Sequence, residues 1–252
     1  QNLVGMALGL SKKGFNVFAS TFAAFLTRAH DQLRMSSLSE ADMTLCGSHA
    51  GVSIGADGAS QMGLEDIAMF RSLSGSTVLY PSDAISAEKL LYLAAKNKGI
   101  TYIRTTRPAS PIIYTPQDQF SLGDFKVIRQ SSKDKVVLVG AGITLHEALK
   151  SHAYLQKKKI ASALVDLYCV KPFNTKKFIS FVKKHGGRIV IAEDHYSEGG
   201  IGEMLAHELI NTGIQIAHLS VKRVPHSGSA EELLEKYGIN AKAITKSVNA
   251  LL

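Results

Sequence analysis

Met43-Thr44-Leu45-Cys46-Gly47-Ser48-His49-Ala50-Gly51-Val52-Ser53-Ile54-Gly55-Ala56-Asp57-Gly58-Ala59-Ser60-Gln61 is the stretch on which the reading turns. Met43 to Gly47 is apolar and short, as a buried strand is. The chain then changes character, and Gly47, Gly51, Gly55 and Gly58 alternate with Ser48, His49, Ser53, Asp57, Ser60 and Gln61. From Met62 to Leu73 the apolar residues recur at helical spacing. A strand, a glycine-rich polar loop and a helix form the repeating unit of a parallel α/β sheet. Ligands bind such sheets outside the carboxyl ends of the strands. A polar surface loop with turn glycines would read the same way, so the loop does not decide alone.

Outward from this loop, helical and strand periods alternate along the whole chain. Before it, Asn2 to Lys13 reads as a helix stopped by Gly14, Phe15 to Ala19 as a strand and Ala23 to Leu38 as a helix. After it, Thr77 to Tyr80 and Ile100 to Arg104 read as strands around a helix from Ala84 to Lys98. Pro108, Pro111 and Pro116 then interrupt the pattern, and residues 108–133 read as a connection with one short hairpin. The alternation resumes with strands at Val136 to Val139, Ala163 to Asp166, Arg188 to Ala192 and Ile216 to Val221. Helices are expected at Thr144 to Lys158, Thr175 to Lys184 and Gly202 to Asn211, with two more at the end. Repeated βα units predict an α/β protein of two domains, each a mostly parallel sheet with helices on both faces. The expected divisions are residues 1–115, a linker at 116–133, and residues 134–252.

The composition, 45% hydrophobic and 20% charged over 252 residues, is that of a soluble globular chain. No apolar run is long enough to span a bilayer. Leu3 to Leu10 is broken by glycines and lacks a basic lead, unlike a signal peptide. Cys46 and Cys169 stand apart, outside any CxxC or Cys/His cluster. They read as buried thiols of a reducing, cytoplasmic compartment, and no metal site is expected. The net charge of +8 suits anionic partners: nucleic acid, acidic membranes or phosphorylated metabolites. The densest basic runs, Lys157-Lys158-Lys159 and Lys183-Lys184, fall at helix ends, where cations complement the dipole. No aromatic and basic residues interleave as in an RNA-binding sheet, so neither nucleic acid nor a membrane is an expected partner.

Two further segments carry chemistry. Ser20-Thr21-Phe22-Ala23-Ala24-Phe25 puts two aromatic rings three residues apart at a strand-to-helix junction. Such a pair can wall a planar ring, or simply pack in the core. Ile103-Arg104-Thr105-Thr106-Arg107-Pro108 ends a strand with guanidinium groups that can meet a phosphate bidentately, or form a surface ion pair. Three signals weigh less. Gly140-Ala141-Gly142 has Leu145 where a dinucleotide turn needs its third glycine. Glu193-Asp194-His195 reads as a strand-end network, because consecutive residues rarely converge on one ion. Gly199-Gly200, ahead of a helix, could offer free N–H groups to an anion.

Taken together, these segments resemble the transketolases. Gln1-Asn2, Ser20 to Phe25, Asp31-Gln32, Gly47-Ser48-His49, Gly55 to Gln61, Tyr80-Pro81-Ser82-Asp83, Arg104 to Pro108, Gly140-Ala141-Gly142 and Glu193 to Tyr196 stand in transketolase order over essentially the whole chain. The Ser60-Gln61 ending resembles the animal-type enzymes, where yeast and most bacterial ones carry Thr-His.

The resemblance implies the pyrimidine-binding domain followed by the C-terminal domain of a thiamine-diphosphate-dependent enzyme. Such an enzyme moves a two-carbon ketol unit from a ketose phosphate to an aldose phosphate. It implies that Phe22 and Phe25 flank the cofactor's aminopyrimidine, with Phe25 the more direct stacking partner. Gln61 would reach the cofactor and the reacting centre, His49 and Asp57 would bind sugar hydroxyls, and Arg107 would hold the terminal phosphate. In the family an N-terminal domain holds the diphosphate and its Mg²⁺ (or Ca²⁺), and the active unit is a homodimer. A family glutamate that bonds the pyrimidine N1′ would immediately precede Gln1. The expectation is therefore a C-terminal half that is inactive by itself and pairs with an N-terminal half or domain. The alternatives are half of a deoxyxylulose-phosphate synthase, a 2-oxoacid dehydrogenase β subunit, or a non-catalytic dimerisation module. The Gly-Ser-His-x-Gly-Val-Ser-Ile-Gly-x-Asp-Gly pattern at Gly47 to Gly58 favours transketolase among them.

Overall fold

A computed structural model describes residues 1–252. Two sheets of five strands form, each with four parallel strands and one antiparallel edge. In the first half the elements run α1 (Asn2–Lys12), β1 (Val17–Phe22), α2 (Ala23–Leu26), α3 (His30–Leu38), β2 (Met43–Ser48), α4 (Asp66–Ser72), β3 (Thr77–Leu79), α5 (Ala84–Lys96) and β4 (Ile100–Arg104). The second half runs β5 (Lys126–Arg129), β6 (Val137–Gly140), α6 (Ile143–Lys157), β7 (Ala163–Asp166), β8 (Cys169–Lys171), α7 (Thr175–Lys184), β9 (Arg188–Tyr196), α8 (Ile201–Glu208), β10 (Gln215–Val221), α9 (Ala230–Lys236) and α10 (Ala241–Leu251). The first sheet has the order β1-β2-β4-β3-β8 and the second β10-β9-β6-β7-β5. The two α/β units read from the alternating periods are therefore present. No helix is long and apolar enough to cross a membrane.

The sheets are not independent. β8, from the second half, closes the edge of the first sheet by pairing antiparallel with β3. Lys171 on β8 donates through Nζ to the carbonyls of Arg71 (2.9 Å) and Leu73 (2.6 Å), so a cation sits at the C-terminal end of α4. One buried apolar cluster runs from Val4 and Leu45 through Tyr102 to Val139, Val165 and Ile191, so both sheets share a continuous core. Asp83 caps α5 by accepting from Ser86 N (2.7 Å), and its second oxygen accepts from Ile113 N and Tyr114 N. This fastens the proline-containing connection to the start of α5.

Several expectations are corrected. The helix expected over Ala23 to Leu38 is broken by a 3₁₀ turn at Thr27–Ala29. The one expected from Met62 starts at Asp66, because the backbone of Gly63 is engaged in closing the loop before it. No hairpin forms in residues 108–133. β5 pairs instead with β7, far along the chain. β9 continues to Tyr196 rather than ending at Ala192, since Glu193, Asp194 and His195 are buried. Cys169 is buried, but Cys46 is only partly so. The amide groups of Ile201 and Gly202, after Gly199-Gly200, are taken by the carboxylate of Glu193, so the chain supplies its own anion there.

Candidate active site

The carboxyl ends of β1, β2 and β4 lie side by side. Phe22 is in register with Ser48, and Gly47 with Arg104. The loop after β2 leaves at this edge. Gly51 N donates to Gly63 O (2.7 Å) and Gly63 N to His49 O (3.3 Å), which closes the loop into a neck with His49 on one side of it and Gln61 two residues before Gly63 on the other. Gly47 lies against the Tyr102 hydroxyl, where any Cβ would fall 2.1 Å away. His49 itself has φ +55°, a conformation unusual for a residue with a side chain. Its ring is stacked on Phe22 at 3.8 Å between centroids, and its Nδ1 lies 3.0 Å from Ser48 Oγ.

Phe22 in turn stacks on Phe25, with centroids 5.1 Å apart and planes within 8°. The three rings make a column, His49–Phe22–Phe25. Phe22, half-buried, is the ring common to both stacks. The free aromatic face is that of Phe25, which is 48% exposed.

Asp57 and Arg107 meet as an ion pair, Oδ1 to Nη1 at 2.8 Å, in an open position. Gln61 is half-buried, and Ser60 Oγ donates to its Oε1. Thr106 and Ser53 hydroxyls lie 3.1 Å apart, linking the loop to the segment that carries Arg107. The site therefore gathers an aromatic face, an imidazole, an amide, a carboxylate and a guanidinium at one edge of one sheet. No group of three or more His, Cys, Asp or Glu side chains converges as metal ligands would.

Arg104 and Arg107, three residues apart, have different employment. Arg104 is fully buried. Its Nε donates to Asp66 Oδ2 (2.8 Å) and its Nη2 to the carbonyls of Gly63 and Asp194 (both 2.9 Å). Burial works against its charge, and Asp66 beside it more than offsets this, so its pKa lies above the ordinary value. This guanidinium is committed to the interior and is not available to a phosphate. Asp66 also accepts from the Tyr102 hydroxyl (2.6 Å). This buried set was not singled out in the sequence as a unit. Arg104 and Glu193-Asp194-His195 are its legible traces, and Asp194 and His195 reach the same network from the second half.

Residues 1–112 match the transketolase pyrimidine-binding domain, and residues 124–244 the transketolase C-terminal domain. A solved split-gene transketolase, described as an inactive β4 tetramer, superposes with a TM-score of 0.88 at 32% identity, covering 99% of this chain and 80% of its own. The chain belongs to the transketolase family. It is 52% identical to the transketolase-like protein 1 of Bos taurus and 49% identical to the transketolase of Homo sapiens. All of this chain is aligned in both, with 43% and 41% of those proteins. These relatives are animal proteins, in keeping with the Ser60-Gln61 ending. The chain spans less than half the length of the curated relatives it matches. The transketolase of Leishmania mexicana shares the fold, with a TM-score of 0.83 at 19% identity.

Proposed function

We propose that this chain supplies the aromatic wall and the sugar grips of a thiamine-diphosphate-dependent transketolase site. The observation that carries the reading is the clustering of Phe25, His49, Asp57, Gln61 and Arg107 at one carboxyl edge of a parallel sheet. Thiamine diphosphate supplies, when bound, the carbanion chemistry of ketol transfer. The residues present fit its pyrimidine, because Phe25 offers one exposed ring face backed by Phe22. Gln61, at the neck of the loop, would hydrogen-bond cofactor and substrate. The diphosphate and its Mg²⁺ would be held by an N-terminal transketolase domain.

The remaining roles follow from chemistry. A ketose phosphate carries hydroxyls that need donors and acceptors and a dianion that guanidinium binds well. His49 and Asp57 would serve the hydroxyls, and Arg107 the phosphate. The Asp57–Arg107 pair is open, so a phosphate can displace the carboxylate from Arg107 and free Asp57 to accept from the sugar. Leu3, Met6 and Leu10 expose one side of α1 beside exposed Phe15 and Phe18. Apolar surface of this extent supports association with an N-terminal half and with a second copy. Residues 1–115 would act as the pyrimidine-binding unit and 134–252 as the second unit.

Complementation tests the reading. The chain is mixed with an N-terminal transketolase half that ends in the family glutamate, with thiamine diphosphate and Mg²⁺. Ketol transfer is then followed from xylulose 5-phosphate to ribose 5-phosphate. The expected result is activity that disappears with His49→Ala and with Arg107→Ala. A folded, associated complex without activity would favour a non-catalytic module.

A further inference from the structure

The second half of the chain touches the loop at several points, and none of these contacts has a part in the chemistry above. Asp194, at the end of β9, is fully buried and places its carboxylate across the start of the loop. Val52 N donates to Oδ1 (2.7 Å) and Ser53 N to Oδ2 (3.1 Å). The fit is tight. A Cβ on Gly51, whose φ is +85°, would lie 2.1 Å from Asp194 Oδ2. The main-chain oxygen of Asp194 accepts from Arg104 Nη2, the same nitrogen that holds Gly63 O at the far end of the loop. One residue of β9 thus connects, directly and through Arg104, to both ends. Between them, Val52, Ile54, Met62 and Leu64 are buried with Leu233 and Tyr237 of the α9 region.

We propose that Asp194 is a positioning residue for the substrate loop, through which the second half of the chain sets the placement of His49, Asp57 and Gln61. His49 needs such support. Its left-handed backbone persists only where the surroundings over-determine it, and the Asp194 bonds begin three residues later. Two bonds from consecutive amides to the two oxygens of one carboxyl group fix a backbone segment more firmly than a single bond does. A substrate grip on a loop gains accuracy when rigid elements hold it. The functional part of this inference rests on the transketolase reading, whereas the clamp itself does not.

Amide hydrogen exchange on the folded chain reads the clamp directly. Asp194→Asn keeps the size and replaces one acceptor oxygen, so one loop N–H faces an amide nitrogen instead. Peptides covering residues 48–62 are expected to exchange about tenfold faster, with β6 and α7 unchanged. If that variant does not fold, Gly51→Ala makes the same test from the loop side, because its methyl group would displace the carboxylate. Unchanged exchange at 48–62 in a folded variant, or an increase spread evenly along the chain, overturns the proposal. In the complex with an N-terminal half, Asp194→Asn is expected to raise KM for the donor sugar about tenfold, with a smaller change in kcat. A fall in kcat alone, matching a loss of folded protein, would make Asp194 merely structural. A loop that loosens as expected in a wild-type-inactive complex would keep the clamp and count against the transketolase reading.

Discussion

Asp66 and Asp166 are both fully buried, and their surroundings drive them in opposite directions. Burial opposes the charge of Asp66, but Arg104 at 2.8 Å, His195 and the Tyr102 hydroxyl hold its pKa below the ordinary carboxylate value. Asp166 has no cation. It receives the Tyr114 hydroxyl at 2.6 Å and the Ser82 hydroxyl at 2.9 Å, and burial pushes its pKa up to about 7. The difference shows that depth alone does not set the charge of a buried acid; the nearest partner does. It also divides the labour. The charged pair grips the neck of the loop, and the acid with a raised pKa joins β7 to Ser82 and to Tyr114 of the connection. The exposed pair, Asp57–Arg107, is a third case, placed where a ligand can reach it.

Removing the guanidinium would break this comparison most strongly. Arg104→Leu leaves Asp66 buried without its cation and frees the carbonyls of Gly63 and Asp194. A loss of roughly 3–5 kcal/mol is expected in urea unfolding near neutral pH. A loss below about 1 kcal/mol would mean that the pair does not hold the seam.

The pH dependence of stability sharpens it. Between the unfolded value near 3.8 and the folded value of about 7, the native state keeps a proton on Asp166 that the unfolded chain has lost. The Asp166 contribution is therefore greatest below pH 4, falls as pH rises through 7, and levels off above. The change is on the order of a few kcal/mol. Asp66 has the opposite sign, and its contribution is lost only as pH falls below the ordinary carboxylate range. In Asp166→Asn the decline between pH 4 and 7 should flatten. An unchanged decline would assign it to other groups. The smallest stability effect belongs to the open pair. Asp57→Ala should change unfolding by less than about 1 kcal/mol while weakening use of the sugar, and a larger loss would make the pair a structural element.

Much of the fold was legible because it is local. β7 and α7 have the bounds their apolar periods gave, Ala163 to Asp166 and Thr175 to Lys184. β8 was not, because three residues, Cys169 to Lys171, carry no period of their own and become a strand only against β3. The polar end of β9 was legible as a strand-end network but not as part of the strand itself, for a related reason. Glu193, Asp194 and His195 look like residues leaving a sheet, and they are buried only because their partners, His218, Val52, Ser53 and Asp66, come from elsewhere in the chain. At the candidate site, residue types were legible and pairings were not. Nothing local says that Asp57 faces Arg107, that His49 covers Phe22, or that Arg104 turns inward while Arg107 stays open.

The most direct test of the sugar-grip claim compares a phosphorylated and an unphosphorylated ketose donor in the assembled enzyme, before and after Arg107→Ala. The expected result is a fall of roughly 10- to 100-fold in kcat/KM for xylulose 5-phosphate, with little change for xylulose. Equal losses for both donors, or none for either, would contradict a phosphate grip at Arg107 and with it the placement of the sugar along this loop.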